Sequence, residues 1–151
     1  MACRGQAWCS EATVTKKQSV VEVETRVRFP ETDRYDTVHH SHYFTWFELG
    51  RIEYLRACGL AIRDFDAAGI FIVLRECAAK LLEPIRYDDE LVIRARLVEL
   101  TPLKIGFEYE ILAKNDGRRL ATGTTLNVAV NASGKLAKMP AHLLDAMRRD
   151  V

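Results

Sequence analysis

Residues 43–60, with the sequence YFTWFELGRIEYLRACGL, are the apolar-rich segment from which the fold is predicted. Its apolar residues recur at helical spacing and cover much more than one narrow stripe, which predicts a helix of about four to five turns. Because such a helix has little polar surface to turn toward water, we expect it to be largely buried. Gly50 lies in its middle and costs about 1 kcal/mol relative to Ala, which is reasonable where the helix backbone presses on a flat surface.

Strand patterns stand on both sides of this helix. Residues 21–29 alternate strictly, with apolar side chains from Val21 to Phe29 on one side and charged side chains on the other, as in a half-buried strand. Turn signals at Thr101-Pro102 and at Asn115-Asp116-Gly117 separate later strands. Four strand-like stretches follow the helix: residues 70–82, 91–100, 103–112 and 120–130.

One strand, one long helix and four strands predict an α+β fold. In it, a curved, mainly antiparallel five-stranded sheet wraps one central helix. Residues 1–18 lack helical or strand period and are expected to be a flexible extension, with a single domain over 19–151 and a short closing helix after Pro140. One helix covers only one face of such a sheet. We therefore expect a second copy of the chain, in a homodimer or homotetramer.

Composition narrows the function classes. The formal charge of the 151 residues is +1, so no global field attracts nucleic acid or an anionic membrane. Nothing approaches the roughly 18 consecutive apolar residues of a membrane span. The cysteines have no zinc-like spacing and fit a reduced, cytoplasmic setting better than a disulfide framework. These cysteines are Cys3, Cys9, Cys58 and Cys77.

Residues 29–43 precede the helix and hold the candidate chemistry. Asp33 lies a few residues upstream of the helix start, where free backbone N–H groups carry partial positive charge and can stabilise an oxyanion. A carboxylate there can activate water or attack a carbonyl directly. An Asp ahead of a helix also commonly acts only as a cap or a turn former. Both interpretations of Asp33 stay open at this point.

The three histidines of this stretch resemble metal ligands. Adjacent residues at a helix start point about 100° apart, however, so one ion would not collect His39, His40 and His42 without distortion. The chain also lacks the GxSxG, P-loop and GxGxxG patterns, which removes the usual parts of serine hydrolases, nucleotide triphosphatases and dinucleotide-binding enzymes.

The pattern F-x-E-T-D from Phe29 to Asp33, followed by V-H-H-S-x-Y-x-x-W-F-E-x-x-R-x-E-x-L-R over residues 38–56, resembles the acyl-CoA thioesterases of the 4-hydroxybenzoyl-CoA thioesterase type. Their Tol-Pal-associated branch is included in the resemblance, which continues more weakly to Pro140. It implies a hotdog fold and hydrolysis of acyl-CoA to free acid and CoA. It also implies dimers or tetramers with sites built from two protomers, and no metal or organic cofactor.

The resemblance also assigns roles to individual residues. Asp33 occupies the position of the catalytic carboxylate, which acts as nucleophile or general base. His40 occupies the position whose backbone N–H holds the thioester carbonyl oxygen, and its imidazole is placed to contact the substrate or orient Asp33. Two residues depart from the pattern: Asp36 stands where many relatives have Gly, and His42 where Asn is common. Asp36 therefore requires a backbone conformation that Gly adopts more easily.

Substrate-binding residues are predicted less directly. Lys135 and Lys138 are candidates for the CoA phosphates, with Arg86 behind them, although ordinary solvated lysines fit the same pattern. Tyr43 and Val73 are expected to line the acyl pocket, where residues 71–73 of a neighbouring protomer meet Tyr43 and Trp46. The sequence does not define the acyl group. Two alternatives to hydrolysis remain, a hotdog acyl-CoA hydratase or dehydratase and a non-catalytic acyl-CoA-binding protein.

Overall fold

A computed structural model describes residues 20–149 of the chain. The predicted flexible extension, with Cys3 and Cys9, lies outside these described residues. The five strands, the long helix and the closing helix form where the sequence predicts them, within a few residues at their ends. The elements in chain order are β1 (Val20–Arg26), a 3-10 helix (Phe29–Glu31), α1 (Ser41–Ala57), α2 (Ile62–Ala67), β2 (Phe71–Leu81), β3 (Glu90–Leu100), β4 (Lys104–Ala113), β5 (Arg119–Val130) and α3 (Ala141–Arg148).

The five strands form one antiparallel sheet in the order β1-β3-β4-β5-β2. The predicted α+β arrangement is confirmed, as are both predicted turns. The first places the Lys104 N–H on the Thr101 carbonyl oxygen at 3.3 Å, and the second places Gly117, at φ +71°, between β4 and β5. The antiparallel order leaves β1 and β2 as the two edges of the sheet.

Helix α1 lies on one face of the sheet. Gly50 is buried, and a Cβ atom at this position would lie 3.2 Å from side-chain atoms of Ala95 and Ile93. The close approach predicted for Gly50 is therefore confirmed. Phe47 packs in the same way over Gly123 and stacks on the Tyr109 ring, with centroids 4.7 Å apart. These contacts join the helix to the centre of the sheet.

The first strand is shorter than predicted. It ends at Arg26, and the chain then enters the 3-10 helix, which contains Pro30. The expectation that Phe29 is buried with Val21 and Val23 is wrong, because Phe29 lies beyond the strand and is 73% exposed. The short helix α2 was also not predicted from the sequence.

Strand β2 carries an unusual apolar surface. Phe71, Val73, Leu74 and Leu81 in this strand, and Leu82 directly after it, are all between 43% and 50% exposed. Helix α1 packs mainly over β1 and β3 and leaves the β2 side of the sheet largely uncovered. A long apolar edge strand is a template for pairing with another chain.

Candidate active site

A small hairpin, residues 31–39, joins the 3-10 helix to α1. The His39 N–H donates to the Glu31 carbonyl oxygen at 2.9 Å. The Asp33 N–H donates to the Thr37 carbonyl oxygen, also at 2.9 Å. The two arms therefore stay in register, and Asp33 lies on the first arm while α1 begins directly after the second.

The hairpin is also tied to the segment after β2. The Val38 N–H donates to the Ile85 carbonyl oxygen at 2.8 Å. At the hairpin tip, Asp36 adopts φ +60°, as expected for a residue at a position where relatives have Gly. Its carboxylate and its carbonyl oxygen each accept a hydrogen bond from the Arg86 guanidinium at 3.2 Å. The negative charge of Asp36 is thus paired with Arg86.

The Asp33 side chain is partly exposed. Its Oδ1 atom accepts a hydrogen bond from the Tyr35 N–H at 2.8 Å, which forms a local turn. Its Oδ2 atom has no protein donor among residues 20–149. One oxygen thus fixes the orientation of the carboxylate, and the other is free to act on a substrate.

The start of α1 offers a free backbone donor. The N-cap residue is His40, and no side chain caps the helix there. The His42 N–H donates to the His39 carbonyl oxygen at 3.1 Å, whereas the His40 N–H has no protein acceptor within the described part of the chain. This N–H and the helix dipole make the position suitable for an oxyanion.

The three histidines form contacts of their own. The His39 and His40 rings lie with centroids 4.0 Å apart, and His39 Nδ1 is 2.9 Å from Ser41 Oγ. The His42 ring is farther from His39, at 6.5 Å. Across residues 20–149, no group of three His, Cys, Asp or Glu side chains is arranged to hold a metal ion.

Glu31 is a buried carboxylate that the sequence did not single out. It accepts hydrogen bonds from the Arg28 N–H at 2.7 Å and from the Arg28 guanidinium at 3.0 Å. Burial raises the pKa of Glu31, but these two bonds, the charge of Arg28 and the nearby His42 outweigh it, and the net pKa is lowered. The spacing of Arg28 and Glu31 around Pro30 was the available sequence signal. Glu31 anchors the first arm of the hairpin.

Two predicted acyl-pocket residues differ in their surroundings. Tyr43 is 2% exposed, packs against Trp46 with ring centroids 5.4 Å apart, and has its pKa raised by burial. Val73 pairs with Val128 in β5, whereas its neighbour Ile72 pairs with Ala129. Since side chains alternate along a strand, Ile72 shares the α1 face of the sheet and Val73 points to the opposite face.

The predicted phosphate-binding lysines are far from Asp33 in the same chain. The Asp33 hairpin lies beside Ile85, at the end of the sheet where β2 finishes. Lys135 and Lys138 follow β5, whose last residue pairs with Phe71 at the beginning of β2. The two ends are separated by the length of β2, on the order of 30 Å. The structure brings only Arg86 of these basic residues close to the hairpin.

Comparison with known proteins agrees with this architecture. The model of the thioesterase-like superfamily matches residues 27–147. The chain belongs to this superfamily. An Aquifex aeolicus protein with the provisional name "esterase" is 33% identical over 123 residues, which cover 82% of this chain and 94% of that protein.

Two further relatives extend the comparison. The crystal structure of a 1,4-dihydroxy-2-naphthoyl-CoA thioesterase from Synechocystis has a TM-score of 0.78, covers 85% of this chain and 96% of its own, and is 18% identical. An Arabidopsis thaliana chloroplastic acyl-acyl carrier protein thioesterase is 30% identical over 90 residues, or 60% of this chain and 47% of that protein. This chain thus spans about half of the Arabidopsis protein.

Family membership confirms two predictions from the sequence. The five-stranded sheet around α1 is the hotdog fold of the thioesterase-like superfamily, and the chain is a thioesterase-type enzyme. No helix among residues 20–149 has the length and apolarity needed to cross a membrane. The cysteines in the described residues, Cys58 and Cys77, are both free.

Proposed function

We propose that this thioesterase hydrolyses acyl-CoA to free acid and CoA, with Asp33 as its catalytic carboxylate. The His40 backbone N–H would hold the thioester carbonyl oxygen and stabilise the negative charge that develops on it. The His40 imidazole, which is exposed beside the same helix start, would contact the substrate. The reaction uses no metal or organic cofactor.

One observation carries this proposal. A single hydrogen-bonded hairpin fixes both the Asp33 carboxylate, which has a free oxygen, and the His40 N–H, which has no protein acceptor within the described residues. Catalysis by positioned groups requires such a fixed separation between the attacking group and the oxyanion donor. A mobile loop would not provide it.

Two chemical routes fit this arrangement. As a nucleophile, the Asp33 oxygen attacks the thioester carbonyl, the C–S bond breaks, and water hydrolyses the resulting anhydride. As a general base, Asp33 takes a proton from a water molecule that attacks the carbonyl, and the same C–S bond breaks. In both routes CoA leaves as a thiolate that is then protonated.

The complete site would require a second copy of the chain. If β2 pairs with β2 of another protomer in an antiparallel manner, the start of one β2 lies beside the end of the other. Lys135 and Lys138 would then lie at the same end as the partner's hairpin and be placed for the CoA phosphates. Tyr43 and Val73 would contribute to an acyl pocket at this junction.

The acyl group and the carrier are open to experiment. The Synechocystis structure is named for a naphthoyl-CoA ester and the Arabidopsis relative for acyl-acyl carrier protein. We favour CoA esters in the cytoplasm, since the free cysteines fit a reducing compartment. A panel of aromatic, short and long acyl-CoA esters, followed by thiol release, identifies the acyl preference.

The catalytic assignment is tested with Asp33→Asn and a matched control, Asp36→Asn, three residues away. Asp33→Asn is expected to lower kcat at least about a hundredfold, because the amide neither attacks nor accepts a proton. Asp36→Asn retains most of the turnover. Circular dichroism and thermal unfolding verify that both variants fold.

The outcomes separate the alternatives. Near wild-type turnover in Asp33→Asn contradicts the assignment. Tight acyl-CoA binding by the wild type without thiol release across the panel indicates a binding protein. Hydration of crotonyl-CoA without thiol release indicates a hydratase.

A further inference from the structure

An exposed aromatic and cationic surface flanks Asp33. It consists of Phe29, Arg34, Tyr35, Arg86 and Tyr87, and we call it the aromatic–arginine patch. Phe29 is 73% exposed, Tyr35 67% and Tyr87 53%. Within residues 20–149 these are the only Phe, Tyr or Trp side chains with more than half of their surface exposed, and they come from two separate segments.

Contacts join the patch in two parts, the Phe29–Tyr87 pair and the Arg34–Tyr35 pair, and the bond from Arg86 to Asp36 links the two parts. The Phe29 and Tyr87 rings meet edge to face, with centroids 5.9 Å apart. Arg86, next to Tyr87, bonds Asp36 at 3.2 Å and thereby connects this pair to the hairpin tip. On the hairpin, the Arg34 guanidinium lies 4.7 Å from the centroid of the Tyr35 ring.

The patch has positive charge available for a ligand. Arg34 bonds the Tyr35 hydroxyl at 2.5 Å and has no carboxylate partner among the described residues. Arg86 bonds Asp36 through its Nη1 atom alone, and water screens the exposed ion pair. A guanidinium beside an aromatic ring can bind phosphate through two parallel N–H groups.

The patch adjoins the reacting group. Arg34 follows Asp33 directly, and the Tyr35 N–H is the donor that holds Asp33 Oδ1 at 2.8 Å. From there the patch extends through Arg86 to Phe29 and Tyr87. A ligand with an extended arm can therefore place its reactive end at Asp33 and its other end on the exposed rings.

We propose that the aromatic–arginine patch binds the nucleotide end of CoA, an inference that rests on the proposed function. Arg34 and Arg86 hold the phosphates, and adenine stacks on Tyr35 or on the Phe29–Tyr87 pair. Bases stack on aromatic side chains and arginine pairs with phosphate in many nucleotide-binding proteins. Within the chain that carries Asp33, the phosphate contacts then come from the patch and not from Lys135 and Lys138.

A compact nucleotide fits this surface better than an acidic carrier protein does. The carboxylates of Asp33 and Asp36 lie within the same hairpin as Arg34, and Asp36 is exposed. A broad acidic surface would approach both carboxylates and be repelled by them. A nucleotide reaches the guanidinium groups individually and brings planar apolar surface to the rings.

The kinetic test compares two thioesters of one acyl group, acyl-CoA and acyl-pantetheine, which lacks the nucleotide. The variants are Arg34→Gln, Tyr35→Ala and Phe29→Ala, with Tyr35→Phe to retain the ring. Arg63→Gln, at an exposed position of α2, is the control for loss of a surface arginine.

The quantity to compare is kcat/KM for acyl-CoA divided by kcat/KM for acyl-pantetheine. This ratio is expected to fall about tenfold in Arg34→Gln and in Tyr35→Ala or Phe29→Ala, because KM for acyl-CoA rises. Arg63→Gln should keep the wild-type ratio, and Tyr35→Phe, which retains the ring, should lower it less than Tyr35→Ala does. An unchanged ratio in Arg34→Gln overturns the inference, even if both activities fall. Loss confined to acyl-acyl carrier protein as substrate also overturns it and indicates a protein-binding surface.

A binding measurement keeps the inference separate from the reaction. Isothermal titration with free CoA and with pantetheine should show binding of CoA that weakens about tenfold in Arg34→Gln. Wild-type protein that binds CoA no better than pantetheine contradicts the patch assignment. If CoA binds through Arg34 but no acyl-CoA is hydrolysed, the proposed function fails while the patch assignment stands.

Discussion

The guanidinium of Arg86 donates to both the carboxylate and the backbone carbonyl oxygen of Asp36, across fifty positions of sequence. This pair holds the hairpin tip against the segment that follows β2. Because Asp36 is at φ +60°, its backbone conformation is one that most side chains disfavour.

We predict that Asp36→Gly is more stable than Asp36→Ala by about 1 kcal/mol. Both variants lose the exposed ion pair, which is worth less than about 1 kcal/mol, but only Gly adopts the backbone conformation without strain. Urea denaturation of the two variants measures the difference. Equal free energies of unfolding would show that the hairpin tip relaxes freely.

The buried carboxylate of Glu31 predicts an acid-sensitive contribution to stability. Its pKa in the folded protein is lowered from the ordinary 4.5, so the contribution is present above pH 4.5 and is lost as pH falls through the folded-state pKa. Glu31→Gln should therefore lower the free energy of unfolding by about 1–3 kcal/mol at pH 7, and by less at pH 3.

Urea titrations of wild type and Glu31→Gln at both pH values test this. The matched control is Glu53→Gln on α1, whose ion pair with Arg56 involves a largely exposed arginine. A Glu31→Gln effect of the same size at pH 3 and pH 7 would mean that the charge of Glu31 is not what stabilises the hairpin.

The space around Gly123, at the centre of the sheet, is too small for a side chain. A Cβ atom at this position would lie 2.2 Å from the Phe47 ring and 2.9 Å from the Ala78 carbonyl oxygen. Gly123→Ala should destabilise the fold by about 1–3 kcal/mol, because the ring and the strand must both move. Thermal unfolding measures this loss.

If Gly123→Ala is combined with Phe47→Leu, the smaller side chain should restore part of the loss due to the alanine. A double variant whose destabilisation equals the sum of the two single losses would contradict direct contact as the cause.

The exposed β2 edge predicts dependence on a second copy. Leu74→Lys places a charge on a half-exposed apolar position of this edge and is expected to convert a dimer to monomer and reduce thiol release together. Val20→Lys, at a similarly exposed position on the other edge, serves as the control. Analytical ultracentrifugation follows the mass. A fully active monomer of Leu74→Lys would contradict a shared site.

Local patterns were sufficient to predict the sheet, the buried helix and the role of Gly50, because each depends on side-chain period and size. They did not predict the exposure of Phe29, because the end of a strand depends on the segment that packs beside it. The separation of Lys135 from Asp33 was also beyond local reasoning, as it follows from the antiparallel strand order.

The hairpin was predicted only in part. Position and resemblance made Asp33 a candidate, and the structure adds a His40 N–H that has no protein acceptor within the described residues. The burial of Glu31 and the exposure of Tyr35 depend on how the 3-10 helix turns the chain. No periodic pattern in the sequence indicates that turn.

Strand β1 pairs only with β3, and Val20 lies opposite Arg96 of that neighbouring strand. During synthesis β1 is made before the other strands, and Arg26 precedes its partner Glu90 by 64 positions. The Asp33 hairpin likewise forms its bond from the Val38 N–H to the Ile85 carbonyl oxygen only once Ile85 has been made. Such distant pairings slow folding, so the Asp33 hairpin acquires its final contacts only after Ile85 has been made.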